Sequence, residues 1–324
     1  MRWIILLVLG HFSTAVLIGQ RSLADYLTLG WLSETLSILL IPPLIIVIYL
    51  LSRAMLARPE SLFAHVGQIV KEQHIRFIDG MMLLGCFVLV NRAYRAIKVS
   101  IPSIEPFWAD PVFARWDAIL FGTDPWRISH AMLGATGTAF LDRMYLAWML
   151  VMLTAFACAA FSGDRLFRLR ACATYFIIWI GLGNLGALLL SSAGPAYYQE
   201  FFGSNHYVPL IAILTEQDVV ALKLQSYLLS VVGDETIGSG ISAMPSVHCA
   251  MTMLIVLMVW DRFGLGWQFA LAATYHLLIF IGSFHLAWHY ALDGIVSMVL
   301  VALVWFGLGM LRYTKPAPAS APSP

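Results

Sequence analysis

The feature that most constrains this chain is a series of apolar blocks, each about as long as a membrane is thick. A helix of roughly 20 residues crosses the ~30 Å hydrocarbon core of a bilayer. About eight such blocks, separated by polar stretches, lie near residues 3–20, 29–51, 77–97, 139–161, 171–193, 244–260, 267–288 and 290–311. The chain is 60% hydrophobic and 11% charged, whereas a soluble domain carries roughly 25% charged residues. We therefore predict an all-α, polytopic membrane helix bundle with about eight transmembrane helices.

The blocks divide the chain into three predicted regions. Residues 1–76 hold two spans and an apolar stripe in 62–70, which predicts either an amphipathic helix on the membrane surface or a plain linker helix. Residues 77–311 hold a six-helix core. The tail 312–324 is rich in Pro, Ala and Ser, and is predicted to be disordered.

The first block allows a second interpretation, a cleaved signal peptide. Arg2 precedes its apolar run, and Ser22-Leu23-Ala24 supplies small residues where a signal peptidase would cleave. The run is longer than the roughly 7–15 apolar residues of a typical signal peptide. Its length therefore favours an uncleaved span.

The distribution of Lys and Arg predicts the orientation. With the amino terminus inside, most cations fall on the cytoplasmic side, as the positive-inside rule requires. The main exceptions are Arg92, Arg95 and Lys98 in NRAYRAIKVS, which end a span on the outer side. Cations at this position indicate a specific function there, such as anion binding. We predict a multi-pass protein of a bacterial inner membrane with its active site at the outer face, toward a periplasm or lumen. The net charge of +1 predicts no nucleic-acid partner.

The stretch GSFHLAWHYALDGIVSM places ionisable residues in an apolar segment. His285, His289 and Asp293 are spaced by four, so in a continuous helix they would lie on one face. A carboxylate one turn after an imidazole can accept its N–H and fix its tautomer, which leaves the other ring nitrogen free as a nucleophile. Ionisable groups at the end of a membrane helix are candidates for function.

A second histidine lies in SAMPSVHCAM, directly before a predicted span. Pro245 suits the first turn of a helix. Ser246 and the free N–H groups of that turn can hold an anionic oxygen, beside which His248 projects. Both histidine segments converge at one predicted membrane face. The segment pair supplies two histidines, a helix start suited to an anion, and cations nearby. This combination favours phosphoryl transfer, in which one imidazole attacks phosphorus and the other protonates the departing oxygen. This chemistry requires no metal and no cofactor.

Two other interpretations remain open. His285, His289 and Asp293 have the helical spacing of metal ligands, which fits a metal-dependent membrane hydrolase. Histidine and aspartate within a membrane also fit a proton relay in a transporter, or a non-catalytic lipid-binding protein. A chelator separates the first interpretation from metal-independent phosphoryl transfer, and a His289→Ala variant with all function intact would favour the second.

The residues PSVH at 245–248 and HYALD at 289–293 resemble the second and third motifs of the type 2 phosphatidic acid phosphatase superfamily, PSGH and SR-x5-H-x3-D. The resemblance spans roughly residues 90–300. It implies that His289 is the nucleophile, Asp293 its orienting carboxylate and His248 the acid on the leaving group. Ser246 would contact the phosphate, and Ser283 stands where the third motif has its arginine.

The departures from the phosphatase motifs resemble the inositol phosphorylceramide synthase branch. Val247 replaces a glycine and the first motif, K-x6-RP, is absent, whereas the branch has motifs like PSLH and HHYxxD. The segments ARWDAILFGTDP at 114–125 and SSAGPAYY at 191–198 also resemble that branch. The resemblance implies transfer of a phospho-headgroup from a phospholipid to a lipid alcohol such as ceramide. A lipid phosphate phosphatase, with water as the acceptor, remains the alternative.

Without the usual arginines, other residues must hold the phosphate. Arg92, Arg95 and Lys98 are the first candidates, because they end a span on the predicted site face. Arg127 and Arg143 are weaker candidates, since each also suits snorkelling toward lipid headgroups. His285, Tyr197 and Tyr198 are candidates for lining the cavity, although the two tyrosines equally suit an aromatic belt.

Overall fold

The computed structural model describes residues 1–18, 29–56, 61–231 and 240–310. Within these residues the chain forms helices joined by loops and contains no strand, which confirms the all-α prediction for this part of the chain. The cleavage site considered at 22–24 and the tail 312–324 lie outside the described residues.

The helices are numbered here in chain order. They are α1 Arg2–Ile18, α2 Leu29–Leu56, α3 Leu62–Ile104, α4 Asp110–Phe121, α5 Pro125–Leu146, α6 Trp148–Ala160, α7 Arg165–Ile177, α8 Ala187–Leu189, α9 Tyr198–Phe202, α10 Val208–Glu216, α11 Val220–Ser230, α12 Val247–Phe263, α13 Trp267–His285 and α14 Ala291–Met310. A π-helical segment, Ile178–Gly186, joins α7 to α8. The chain kinks inside α5 at Gly134, which has a positive φ of 58°.

Five helical segments of the described residues are long and apolar enough to cross a membrane. They are His65–Ile104, Pro125–Ala160, Arg165–Leu189, Trp267–His285 and Ala291–Met310. Arg2–Ile18 and Thr35–Tyr49 are shorter apolar helices, and α12 has 17 residues, which corresponds to about 25 Å at 1.5 Å per residue. The count of about eight spans therefore stays a prediction.

Two predicted boundaries differ from the observed helices. The stripe at 62–70 does not form a separate helix but continues into the third span as one helix, α3, of 43 residues. Its sequence has no Pro until Pro102, so nothing ends the helix between the stripe and the span. The span predicted from residue 244 begins at Val247, and Pro245 lies before the N-cap instead of inside the first turn.

The bundle is built around α12. This helix packs against α13 and α14, α13 packs in turn against α5, and both α1 and α2 pack against α3. Large side chains such as Trp305, Tyr175 and Phe176 are fully buried between the helices, while Leu, Ile and Phe side chains cover much of the outer surface. Apolar residues on both the inside and the outside are what a membrane bundle requires, because lipid covers the outer face.

The two ends of the bundle differ in their polar contacts. At the end where α7 begins, Arg168 bonds to Asp79 of α3 at 2.6 Å and Arg170 bonds to Asp261 of α12 at 3.1 Å. Short helices form the opposite end, where α12 and α14 begin. There Asp142 of α5 caps α11, with its two carboxylate oxygens accepting the N–H groups of Val220 and Ala221 at 2.7 and 2.9 Å. Ion pairs thus join the helices at one end, and aspartate caps position the loops at the other.

Candidate active site

The start of α12 and the loop between α13 and α14 bring two histidines together. His248 is the second residue of α12, behind an N-cap made by Ser246, and His289 lies in the loop. The Nε2 atom of His289 is 3.3 Å from the Nδ1 atom of His248. His289 is 5% exposed and His248 is partly exposed, so His289 is the more deeply buried of the two.

The 286–290 loop interrupts the helix on which the sequence spacing placed His285, His289 and Asp293. α13 ends at His285, and Ala287 has a positive φ of 61° that reverses the chain. The carbonyl oxygen of Ser283 accepts the N–H groups of Trp288 and His289 at 3.0 and 2.9 Å. The prediction of one common helical face is therefore wrong. His289 still lies near Asp293, because Asp293 is in the first turn of α14.

The hydrogen bonds of His289 define its tautomer. Its Nδ1 atom lies 2.8 Å from the carbonyl oxygen of Ala243. A carbonyl oxygen only accepts hydrogen bonds, so Nδ1 carries the proton and donates it. The Nε2 atom then holds the lone pair, and the N–H at His248 Nδ1 donates to it. Burial lowers the pKa of His289 to about 3, and the positive charge of Lys98 acts in the same direction. His289 is therefore a neutral imidazole near pH 7.

Asp293 lies behind His289 but is not its nearest acceptor. Its Oδ2 atom is 3.4 Å from His289 Nδ1, which is longer than a good N–H···O hydrogen bond. The same oxygen accepts the backbone N–H of Tyr290 at 3.0 Å and so caps the start of α14. The carboxylate is fully buried. It is placed to stabilise positive charge on the ring of His289, while the carbonyl of Ala243 fixes the tautomer.

Aromatic rings hold His248 on its other sides. The ring of Tyr145 stacks on the imidazole with centroids 4.6 Å apart and planes 27° apart. The ring of Trp148 lies 4.2 Å from the imidazole centroid at 44°. Both rings are buried, so the imidazole has little freedom to rotate.

The histidine pair opens into a cavity of about 560 Å³. Most of its wall is apolar or aromatic, and the rings that line it are Phe87, Tyr94, Trp148, Trp179, Tyr197, Tyr227 and Trp288. The polar groups include His248, His289, Asn91 and Ser242, and the cations are Arg95 and Lys98. Among the residues that the structure describes, no Asp or Glu lines the cavity. This volume and lining fit a ligand with a large apolar part and an anionic group.

The predicted cations occupy different positions. Arg95 and Lys98, one turn apart on α3, line the cavity, whereas Arg92 does not. Arg127 pairs with Asp124 at 3.2 Å outside the lining. Arg143 is exposed and also lies outside the lining.

The two predicted serines are engaged in local hydrogen bonds. Ser246 Oγ accepts the backbone N–H of Cys249 at 3.3 Å and caps α12. Ser283 Oγ donates to the carbonyl oxygen of Phe280 at 2.6 Å. Both are fully buried and neither lines the cavity. Ser246 therefore acts as the N-cap of α12, the helix that begins next to His248. Ser283 acts mainly through its carbonyl oxygen, which accepts two N–H groups of the 286–290 loop.

Of the three residues predicted to line the cavity, the structure places one in its wall. Tyr197 lines the cavity, but Tyr198 and His285 do not. His285 is fully buried between α13 and α5, with Nδ1 2.7 Å from the hydroxyl of Ser129 and Nε2 2.9 Å from the hydroxyl of Thr138. His285 and His289 thus have separate partners. Among the described residues, no group of three or more His, Cys, Asp or Glu side chains could hold a metal ion.

Sequence reasoning missed the buried aspartates that support the site. Both oxygens of Asp117 cap α14 by accepting the N–H groups of Ala291 and Leu292 at 2.7 and 2.9 Å. Asp110 accepts the hydroxyl proton of Tyr290 at 2.8 Å. Burial raises the pKa of Asp117 to about 7 and also raises the pKa of Asp110. The available signal was a pair of aspartates, Asp110 and Asp117, in a short, mostly apolar helix, α4.

The family model described as the PAP2 superfamily matches residues 112–307, more than half of the 324-residue chain. The chain therefore belongs to the PAP2 superfamily. Superfamily members are phosphatases and phosphotransferases of lipid-like substrates, which identifies the chain as an enzyme of that general type. Together with the long apolar helices, the family indicates a membrane protein. Comparisons with curated proteins and with solved structures give no significant match.

Proposed function

We propose that the protein is a membrane lipid phosphotransferase that moves a phospho-headgroup between lipids through a phosphohistidine on His289. The observation that carries the proposal is the pair of histidines, 3.3 Å apart, at the wall of an apolar cavity that also holds Arg95 and Lys98. The resemblance of PSVH, HYALD and SSAGPAYY to the inositol phosphorylceramide synthase branch supports a lipid alcohol as the acceptor. The predicted orientation puts the reaction at the outer membrane face.

In the first step, the Nε2 lone pair of His289 attacks phosphorus and a P–N bond forms. The bond from phosphorus to the leaving oxygen breaks, and a protonated His248 gives its proton to that oxygen. Asp293 stabilises the positive charge that develops on the imidazole of His289. Arg95 and Lys98 offset the negative charge on the phosphoryl oxygens.

In the second step, an acceptor hydroxyl gives its proton to the now neutral His248 and attacks phosphorus. The P–N bond breaks and its electron pair returns to His289 Nε2. His248 is protonated again at the end of the cycle. The chemistry is the same for a lipid alcohol and for water, so the acceptor decides whether the enzyme acts as a transferase or a phosphatase.

The test uses purified protein in liposomes with EDTA present. The substrates are phosphatidylinositol and phosphatidic acid, each with and without ceramide or diacylglycerol, and mass spectrometry follows the products. A new phospholipid that requires the acceptor and disappears in His289→Ala supports the transferase. His74→Ala, which changes an exposed histidine of α3, is the matched control.

Other results would change the assignment. Free phosphate from phosphatidic acid, whatever the acceptor, would make the enzyme a phosphatase. Loss of turnover with EDTA that is restored by added metal would favour a metal-dependent hydrolase. Equal products from the wild type and His289→Ala would refute the phosphohistidine mechanism.

A further inference from the structure

We propose that Ser192 and Asp110 are positioning residues that keep the Ala243 carbonyl on the Nδ1 proton of His289. This inference rests on the proposed function, in which Nε2 of His289 must hold the lone pair. It also gives a role to SSAGPAYY, the segment that the catalytic histidines and Asp293 leave unexplained.

Ser192 holds the peptide that carries the acceptor of His289. Its carbonyl oxygen accepts the N–H of Ala243 at 2.9 Å, and its Oγ accepts the N–H of Met244 at 3.0 Å. Ala243 and Met244 precede the N-cap of α12 and therefore lie outside any helix. Ser192, Ala243 and Met244 are all buried. Two bonds from one residue thus fix the direction in which the Ala243 carbonyl points.

Asp110 in turn holds the segment that contains Ser192. Its Oδ2 accepts the N–H of Ala193 at 2.8 Å, and its Oδ1 accepts the N–H of Gly194 at 2.7 Å. The same Oδ1 accepts the hydroxyl of Tyr290, the residue after His289. One buried carboxylate therefore fixes both the 191–194 segment and the segment that carries the nucleophile.

The 191–198 segment also contacts the 286–290 loop directly. The N–H of Ala196 donates to the carbonyl oxygen of Ala287 at 3.0 Å, so the 191–198 segment also bonds to the loop on which His289 lies. A Cβ on Gly194 would lie 2.8 Å from the carbonyl oxygen of Trp288. The backbone of the 191–198 segment is therefore in contact with the backbone of the 286–290 loop, and a shift of the segment would move the loop that carries His289.

The consequence for His289 concerns its proton. If the Ala243 carbonyl moves away, the N–H at Nδ1 loses its 2.8 Å acceptor and keeps only the longer contact of 3.4 Å to Asp293. The tautomer protonated at Nδ1 is then less favoured, and the ring proton can move to Nε2. A proton on Nε2 removes the lone pair that attacks phosphorus. A change in Ser192 should therefore lower kcat more than it changes KM, because the nucleophile changes while the cavity that binds lipid does not.

The adjacent serine provides a matched control. Ser191 is as fully buried as Ser192, but its hydroxyl donates to the carbonyl oxygen of Glu105 at 2.9 Å, away from His289. Ser192→Ala and Ser191→Ala each remove one hydroxyl from the same segment. A purely structural role would give similar effects in both variants, whereas a role in positioning would separate them.

The experiment measures activity and tautomer together. Lipid turnover is measured in liposomes with the substrates named above, and solid-state NMR of protein labelled with ¹⁵N-histidine reports which ring nitrogen is protonated. The His289 signals are identified by their loss in His289→Asn. In Ser192→Ala we expect kcat to fall about tenfold or more, with a population of His289 protonated at Nε2. Ser191→Ala should keep kcat within about twofold of the wild type and the wild-type tautomer.

Tyr290→Phe is a second, milder variant, because it removes one hydrogen bond to Asp110 and keeps the ring. We expect the same change of tautomer, to a smaller extent, so the inference can be tested even if Ser192→Ala does not fold. Unchanged His289 spectra in both variants, or equal losses of kcat in Ser192→Ala and Ser191→Ala, would overturn the inference. A wild-type chain that turns over no lipid would refute the proposed function alone, since the NMR comparison still tests the contact between Ser192, Ala243 and His289.

Discussion

His289 Nε2 and His248 Nδ1 lie 3.3 Å apart, close enough for one to donate a hydrogen bond to the other. The bond of His289 Nδ1 to Ala243 O, at 2.8 Å, assigns the donor role to His248. In this arrangement the lone pair of the proposed nucleophile is occupied by a neighbouring N–H. A phosphoryl group with its oxygens needs more room than this gap provides. The two imidazoles must therefore separate when a substrate binds between them.

The first prediction distinguishes the two histidines by the leaving group. His289→Ala should abolish turnover of every substrate, because no nucleophile remains. His248→Ala should slow the turnover of phosphatidic acid by roughly 10²–10⁴-fold, the usual contribution of a general acid. With a nitrophenyl phosphate ester as substrate, the first step of the same variant should be slowed far less, because nitrophenolate leaves without a proton, whereas the later removal of the phosphoryl group from His289 still lacks its base.

The measurement is the steady-state rate of both variants with phosphatidic acid and the burst of nitrophenolate in the first turnover of the ester, together with ³²P labelling of the protein. A label that is labile in acid and stable in alkali should appear in His248→Ala and be absent from His289→Ala. The opposite pattern would exchange the proposed roles of the two histidines.

The second prediction concerns Asp293→Asn. In a serine protease triad, the corresponding change costs about 10⁴ in kcat because the histidine takes the wrong tautomer. Here the Ala243 carbonyl holds the Nδ1 proton, so the tautomer should survive. We expect a smaller loss of kcat, about 10–10²-fold, from the missing negative charge behind the phosphorylated ring. A loss near 10⁴-fold, measured in the same lipid assay, would show that Asp293 and not Ala243 sets the tautomer.

The third prediction compares three cations of α3. Arg95 and Lys98 line the cavity, and Arg92 does not. A hydrogen bond to a charged group contributes about 1.5–3 kcal/mol, so Arg95→Met and Lys98→Met should each lower kcat/KM by roughly 10–100-fold. Arg92→Met should have a smaller effect. A larger loss in Arg92→Met than in the other two variants would contradict the proposed phosphate site.

The all-helical architecture could be predicted because apolar blocks about 20 residues long have few alternatives in lipid. The sequence motifs also drew attention to His248 and His289, which the structure brings together. The path between His285 and His289 could not be predicted in the same way. No Gly or Pro separates His285 from Ala291, and the reversal uses a positive φ at Ala287, which a non-glycine residue rarely adopts. Helical spacing was therefore the natural expectation, and it was wrong.

The acceptor of the His289 proton, the carbonyl of Ala243, could not be predicted from the sequence for another reason. Every residue has a backbone carbonyl, so nothing in the sequence distinguishes the carbonyl of Ala243 from the others. Asp110 and Asp117 were visible as residues, but their partners are backbone N–H groups far along the chain. A sequence motif marks side chains, whereas these contacts depend on how loops meet in the folded bundle.

The fourth prediction follows from the lowered pKa of His289, about 3 in the folded protein compared with 6.5 ordinarily. Below pH 6.5 the unfolded chain binds a proton at this residue while the folded chain does not, until the pH reaches about 3. Folding stability from His289 is therefore fully present above pH 6.5 and is lost as the pH falls toward 3. His289→Gln should show a shallower loss of stability than the wild type between pH 7.5 and pH 4 in denaturation experiments in detergent. Parallel curves for the two proteins would contradict the lowered pKa.

The last prediction concerns Gly194, where the conformation requires glycine. Its φ of 102° and ψ of 165° lie in a region open essentially to glycine alone, where other residues pay about 1–3 kcal/mol. Its missing Cβ also leaves room for the carbonyl oxygen of Trp288. Gly194→Ala should therefore lower the free energy of unfolding by more than the backbone cost alone, and it should lower kcat because the loop carrying His289 must shift.

Gly203→Ala is the matched control for this change. Gly203 also has a positive φ, 65°, but a Cβ there would meet no atom within 4 Å. It should lose only about 1–2 kcal/mol of stability from the left-handed backbone, with kcat unchanged. Denaturation and lipid turnover measured on both variants separate backbone strain from displacement of the loop. Equal effects of the two variants on kcat would mean that the contact between Gly194 and Trp288 does not position His289.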